Sequence, residues 1–254
     1  VRNTSQQSVP RTRIFLETEA GTGDRVELPA AEARHIFKVL RAREGEAVEA
    51  VTPGRRLLLA GVYGDYRRAR AEVIRELPVP RGPETRVTLY QAVPKGKHMD
   101  LVAEKATELG VRRIVPLLTE HGEVEPSDEK LDRWRRIAEA AARQSLQLRV
   151  PAVSEPERFR EALESLAETE SGVLLHNEAG LPTLEEAVSA GGAALFVGPE
   201  GGWSGQELDQ ARERGLEPAQ MGPYRLRAET AGVVAVARAE SRLRSLAADT
   251  GEAT

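Results

Sequence analysis

Beyond residue 86 the chain alternates short apolar runs with stretches of helical periodicity, and this rhythm restricts its fold more than any other feature. Val87 to Val93 reads as a strand; Met99, Val102, Ala103, Ala106 and Leu109 then recur at helical spacing, and Gly110 closes that helix. Ile114 to Leu118 is the next strand, followed by a long helix from Ser127 to Gln147 and a shorter one from Pro156 to Ala167. Strands at Val173 to His176, Ala193 to Val197 and Ala219 to Met221 precede a terminal helix from Glu229 to Leu246. Parallel strands need crossover helices to join them, so the pattern predicts an α/β fold with a parallel sheet covered on both faces.

The first part of the chain has a different rhythm. Short β-like runs at Arg13 to Leu16, Val26 to Leu28, Ala47 to Thr52, Leu57 to Tyr63 and Ala69 to Leu77 surround one helical segment, Ala31 to Leu40. This predicts a small β-barrel with one helix. The Pro/Gly-rich run Leu77 to Pro83 separates the two patterns. The expected organisation is a barrel domain over 1–78, a linker over 79–84 and an α/β domain over 85–250, which 254 residues readily accommodate.

Composition narrows the chemistry. With no cysteine, thiol nucleophiles, disulfides and zinc–thiolate sites are excluded, and His35, His98, His121 and His176 lack metal-ligand spacing, so no metal is expected. No apolar run approaches the roughly 20 residues that span a bilayer, and the polar start VRNTSQQSVPRTR has no signal-peptide core; the expected location is the cytoplasm, with no membrane partner. Residues 1–80 carry 14 Lys/Arg against 11 Asp/Glu, whereas the remainder carries 22 against 29. A locally basic module on an acidic chain fits a polyanion contact as well as ordinary surface variation.

Four segments carry candidate chemistry, one of them the amphipathic helix Arg34 to Arg41 in the barrel module, whose basic face is either a contact surface or an ordinary solvated one. In LFVGPEGGWSGQEL an apolar strand ends in the turn Gly198-Pro199-Glu200-Gly201-Gly202, and Ser204 with Glu207 makes a capping box that starts a helix. Such a strand-to-helix turn is either a tight connection or a loop that meets a ligand through its backbone. It lacks both the G-x-G-x-x-G spacing and a Gly-Lys-Ser/Thr ending, which argues against a dinucleotide or a nucleoside triphosphate. In MGPYRLRAETAGVVAVA a second strand-to-helix loop carries Arg225, Leu226 and Arg227 before an apolar helix; Arg227 and Glu229 serve either a facing ligand cleft or a local ion pair. Lys95 and Lys97 lie on a glycine loop at a strand end, suited to phosphate or simply to solvent.

GPEGGWS and LRAETA, preceded by KGKHMDLVAEKATELGV and, near the N-terminus, RHIFKVLR, closely resemble the RsmE-type 16S ribosomal RNA uridine-N3 methyltransferases of the SPOUT superfamily. The resemblance covers nearly the whole chain in order. It implies a PUA-like, RNA-binding N-terminal barrel and a C-terminal α/β domain with a deep trefoil knot that binds S-adenosylmethionine. Leu175, Gly198, Pro199, Glu200, Gly201 and Gly202 would form one side of the cofactor pocket. Met221, Gly222, Leu226, Arg227, Ala228 and Thr230 would form the other. Arg227 is then the residue that stabilises a uridine anion and Glu229 the candidate base, while Arg13, Arg34, His35, Arg41, Lys95 and Lys97 would contact RNA. The implied partners are 16S rRNA in the small ribosomal subunit and a second copy of the chain.

One departure stands out. Where the family often has Gln-Ser-Gly-Arg, this chain has Gln144-Ser145-Leu146-Gln147-Leu148-Arg149, which places any RNA role of that segment in question. Two other functions are compatible with these motifs: methylation of a transfer-RNA ribose 2'-hydroxyl, and RNA binding in ribosome assembly without catalysis. The product nucleoside separates the first, and calorimetry with S-adenosylmethionine the second.

Overall fold

The computed structural model describes residues 12–79, 86–166 and 171–250. Of the expected linker, 79–84, all but residue 79 lies outside the described residues. The chain divides into two compact units, residues 1–80 with 142–149, and residues 81–141 with 150–254.

The first unit is built on β1 (Arg13–Phe15), β2 (Arg25–Leu28), β3 (Glu46–Val51), β4 (Leu57–Gly64) and β5 (Ala69–Leu77), ordered β1-β3-β4-β5-β2. β1 pairs parallel with β3, and all other neighbours are antiparallel. Alternate residues such as Val48 and Ala50, with Ile14, Leu58, Ala60, Val62 and Ala71, make one buried cluster closed by Ala33 and Ile36. The expected helix Ala31 to Leu40 is two pieces, α1 (Ala30–Arg34) and a single π-helical turn, His35–Val39. Ile36 is fully buried, whereas Val39 and Leu40 are 65% and 43% exposed. The wider turn thus turns two apolar side chains toward solvent.

The second unit holds a wholly parallel sheet. Its path is β12 (Glu217–Ala219), β10 (Ser171–Leu175), β11 (Ala193–Val197), β6 (Val87–Ala92), β7 (Arg113–Leu118) and β8 (Ala152–Val153), and β9 (Glu157–Arg158) also pairs with β7. Period-two alternation sends neighbouring residues to opposite faces. Leu89, Leu195 and Val197 join a core with Met99, Val102 and Trp134, under α2 (His98–Glu108), α3 (Asp128–Gln144) and α7 (Ala228–Asp249). Tyr90 and Phe196 stack on the other face, ring centroids 4.4 Å apart, with Phe159 of α4 (Phe159–Glu164) and with Ala211 of α6 (Gly205–Glu213). A short α5 (Leu184–Ala187) packs against α7. Both faces are covered, as the alternation predicts. No described helix is long and apolar enough to cross a membrane.

The long helix stops at Gln144, three residues before the expected end. Gln147 N–H donates to Ala142 O at 2.9 Å and Leu146 N–H to Arg143 O at 3.3 Å, the two bonds of a Schellman stop, with Leu146 in the left-handed region at φ 56°. Arg143 pairs with the buried Glu32 at 2.6 Å, so these residues group with the first unit. Arg13 corrects an expectation. It is 4% exposed, its Nε donates to Glu49 Oε2 at 3.0 Å, and its guanidinium also donates to the carbonyls of Leu146 and Gln147. Its donors are engaged inside the first unit, so Arg13 is a structural residue and not an RNA contact.

Candidate active site

In a parallel sheet all carboxyl ends lie on one edge, and the adjacent strands β12, β10 and β11 bring three loops together there. Between them lies a cavity of about 550 Å³, within the range of small-molecule sites. After β10 come Leu175, His176 and Asn177; after β11, Val197 to Glu200 with Gly202 and Trp203; after β12, Met221, Gly222 and Tyr224 to Ala228, with Ala231 one turn into α7.

Local chemistry fixes each wall. The predicted capping box is present: Glu207 N–H donates to Ser204 Oγ at 3.2 Å, and Ser204 N–H donates to Glu207 Oε2 at 2.9 Å. Glu207 Oε1 also accepts from Glu120 N–H at 2.9 Å, so one buried carboxylate anchors two loops. Trp203 Nε1 donates to Leu175 O at 2.9 Å, tying the β11 loop to the end of β10. The indole lies so close beneath Gly198 that a Cβ there would sit 3.0 Å from it. Any larger residue at Gly198 would press on the indole, which would have to give by a few tenths of an ångström. Arg225 donates to Glu200 O at 2.8 Å and joins the β11 loop to the loop before α7. Behind that loop Arg238 donates to Met221 O at 2.7 Å and pairs with Glu185, holding the Glu185 carboxyl below its ordinary range chiefly through that side-chain hydrogen bond.

The structure gathers most of the sequence-predicted pocket residues. Leu175, Gly198, Pro199, Glu200, Gly202, Met221, Gly222, Leu226, Arg227 and Ala228 all line the cavity. Gly201, Thr230 and Glu229 do not. Gly201 faces away toward His121, whose Cβ would lie 3.0 Å from an added Cβ. Thr230 is exposed on α7. Glu229 is 7% exposed, with Oε1 3.4 Å from His98 Nδ1, and its position one residue into the helix turns it from the cavity toward α2. The local Arg227–Glu229 ion pair is thus replaced by a Glu229–His98 contact. Arg227, the exposed residue preceding the first turn of α7, remains at the cavity wall.

Elsewhere, Lys97 is exposed, but Lys95 pairs with Glu123 at 2.9 Å, which raises its pKa, and its N–H donates to Glu200 Oε1 at 3.3 Å. Arg34 and Arg41 are exposed and His35 is half-buried. No group of three or more metal-ligating side chains occurs among the described residues.

Residues 81–240 match the family model of the RNA methyltransferase domain. The chain belongs to this family. The chain is also 32% identical, over 252 residues, to the ribosomal RNA small subunit methyltransferase E of Synechocystis, covering 95% of this chain and 81% of the relative. The crystal structure of the ribosomal RNA small subunit methyltransferase E of Neisseria gonorrhoeae bound to S-adenosylmethionine superimposes with a TM-score of 0.83 at 30% identity, covering 92% of this chain and 98% of that one. A putative methyltransferase of Legionella pneumophila with the same bound cofactor gives a TM-score of 0.83 at 28% identity, over 92% and 98% of the two chains.

Sequence reasoning missed His176, Asn177, Val197, Trp203, Ala219, Tyr224, Arg225 and Ala231 as lining residues of this RNA methyltransferase. Trp203 carried a usable signal, since a buried indole beside a glycine turn needs an acceptor for its N–H. His176 and Asn177 carried none until β10 was placed beside β11.

Proposed function

We propose that this chain transfers the methyl group of S-adenosylmethionine to N3 of a uridine in 16S ribosomal RNA of the small subunit. The observation that carries the reading is the cavity at the carboxyl ends of β12, β10 and β11, walled by the GPEGG turn and the loop before α7, with Arg227 at its wall. The cofactor fits this donor set. Leu175, Val197, Met221 and Leu226 offer apolar surface for a flat heterocycle, and the main chain at Gly198, Gly202 and Gly222, without Cβ atoms, offers hydrogen bonds at close range. Bound there, the cofactor supplies an electrophilic sulfonium methyl. Rigid loops tied by Trp203, Arg225 and Arg238 hold the reactants in line, a matter of positioning more than of acid–base chemistry. The N3 proton passes to water; the Arg227 guanidinium, a permanent cation, stabilises the uridine anion left behind, whose N3 takes the methyl group as the C–S bond breaks and S-adenosylhomocysteine leaves. The base must be unpaired for N3 to be reached.

The reading extends to the fold and assembly. A knotted path is proposed on the family resemblance; the helix α7, which follows the edge strand β12, packs back on β6 and β11. A PUA-like role for the first unit is supported by its five-stranded sheet. A homodimer is proposed on the family resemblance alone. Analytical ultracentrifugation tests the dimer. Incubation with small subunits and cofactor, then mass mapping of the RNA, tests the reaction: a methyl on a uracil base is expected. A methyl on a ribose hydroxyl, or no cofactor binding by calorimetry, would overturn it.

A further inference from the structure

In the first unit the tip of the β4–β5 hairpin carries Tyr66, 44% exposed, between Asp65 and the pair Arg67, Arg68. The tip is built to hold one shape. Asp65 Oδ1 accepts from the N–H groups of Arg67 and Arg68 at 2.7 and 3.0 Å, which keeps its carboxyl below the ordinary range. Gly64 has φ 105°, and a Cβ there would strike Arg68 O at 2.3 Å, so the turn requires glycine.

The π-helical turn delivers a second cation to the same ring. Arg67 Cζ lies 5.4 Å and Lys38 Nζ 6.0 Å from the Tyr66 centroid. Next to Lys38 the turn exposes Val39 and Leu40, and it is followed by the exposed Arg41 and Arg43. An irregular helical turn that spends two apolar side chains on solvent is the kind of feature found at functional sites. Arg67 Nε donates to the Tyr66 hydroxyl at 3.1 Å, and Arg68 keeps only a loose exposed pair with Glu27 at 3.5 Å, which a phosphate can displace. Ring, guanidinium groups and ammonium thus present a π-face beside cations. Unpaired nucleobases on a phosphate backbone match that chemistry: the base stacks on the tyrosine and the phosphates meet the cations.

We infer that Tyr66, with Lys38, Arg67 and Arg68, forms a stacking site for an unpaired base of single-stranded RNA. The inference deepens the rRNA reading, since it identifies an RNA-binding point apart from the cofactor cavity. The site favours single strands over duplex, whose bases are already stacked and paired.

The test is fluorescence anisotropy of the full chain with a labelled single-stranded RNA and with its duplex, across a salt series. Tyr66→Ala is expected to weaken single-strand binding about ten-fold with the salt slope unchanged, while Tyr66→Phe, which keeps the ring, binds nearly as wild type. Arg67→Gln with Arg68→Gln is expected to lower the salt slope by about 1.4, the contribution of two phosphate contacts on a single strand. Equal binding of duplex, or Tyr66→Ala within about two-fold of wild type, would overturn the site; so would a Tyr66→Ala chain that loses self-association while keeping RNA affinity, since the ring would then serve a second copy. Circular dichroism melting checks that each variant folds. Calorimetry of the wild-type chain with S-adenosylmethionine is run separately, so failure of the methyltransferase reading is distinguishable from failure of the stacking site.

Discussion

Helix α7 passes β6 so closely that one missing methyl group decides their spacing. An added Cβ at Gly232 would sit 2.1 Å from Gln91 Oε1 and 3.7 Å from Leu89 Cδ2. Gln91 is fully buried, and its Nε2 donates to Ala92 O at 3.0 Å and to Ala228 O at 3.5 Å, so its side chain cannot swing aside without losing these bonds. Gly232→Ala places two effects in opposition. In a helix interior, alanine is favoured over glycine by about 0.8–1.0 kcal/mol. Overpacking a closed interior costs roughly 1–3 kcal/mol, and a contact more than an ångström too short belongs at the upper end. The net expectation is a loss of about 1–2 kcal/mol, or a melting temperature lower by about 2–8 °C for a unit of this size. Differential scanning calorimetry measures it, with Gly205→Ala as the control. Gly205 lies in α6 with nothing within 4 Å of an added Cβ, so propensity alone acts there and stability rises slightly. Adding Gln91→Ala to Gly232→Ala should leave the double variant more stable than the sum of the single changes. A Gly232→Ala chain as stable as wild type would refute the close-packing argument.

Arg227→Gln should lower methyl transfer to small-subunit RNA by about 10²-fold or more with an unchanged melting curve, as expected for loss of a group that stabilises developing charge; near-normal turnover would remove Arg227 from the chemistry. Gly198→Ala should weaken cofactor binding in calorimetry, because the added methyl pushes against the Trp203 indole that forms the floor of the turn. Glu185 is a carboxylate with a lowered folded-state pKa, so its pairing stabilises the fold above the unfolded value near 4.5 and is lost as pH falls through the lower folded value. Arg238→Met should therefore be less stable than wild type at neutral pH, with the gap closing on acidification through that window in pH-resolved thermal melts. Leu146→Gly should gain up to about 1 kcal/mol by relieving the left-handed backbone, less the flexibility glycine adds to the unfolded chain, whereas Leu146→Ala, which keeps a Cβ, should gain nothing.

The second unit was legible because each of its long elements obeys a local rule. Met99, Val102, Ala103 and Ala106 repeat at helical spacing and are all buried, and the Ser204–Glu207 capping box forms as its spacing predicts. The short elements were not legible. β8 and β9 have two residues each, and their pairing with β7 depends on a neighbour distant in sequence. The same limit affected the site. Gly198 and Arg227 lie in recognisable strand-to-helix loops, whereas His176 and Asn177 reach the cavity only through the position of β10 between β11 and β12. Glu229 shows the converse. Its sequence spacing from Arg227 is short, but on a helix two residues apart point in widely different directions, so the pair separates as soon as α7 forms.

Arg13 and Leu146 show how a motif change and a misassigned arginine share one cause. Leu146 stands where the related pattern has glycine, and the backbone nevertheless adopts the left-handed stop at φ 56°. That geometry costs a leucine roughly 1–2 kcal/mol, so something must hold it there. The Arg13 guanidinium does so. It donates to the carbonyls of Leu146 and Gln147 while Glu49 balances its charge, and the buried Glu32–Arg143 pair fixes the preceding turn. Loss of the glycine is thus offset by charge-assisted hydrogen bonds to the carbonyls of residues 146 and 147. In sequence the two ends of this arrangement are more than 130 residues apart, and each invites a separate RNA-binding reading; in the folded unit they satisfy one another.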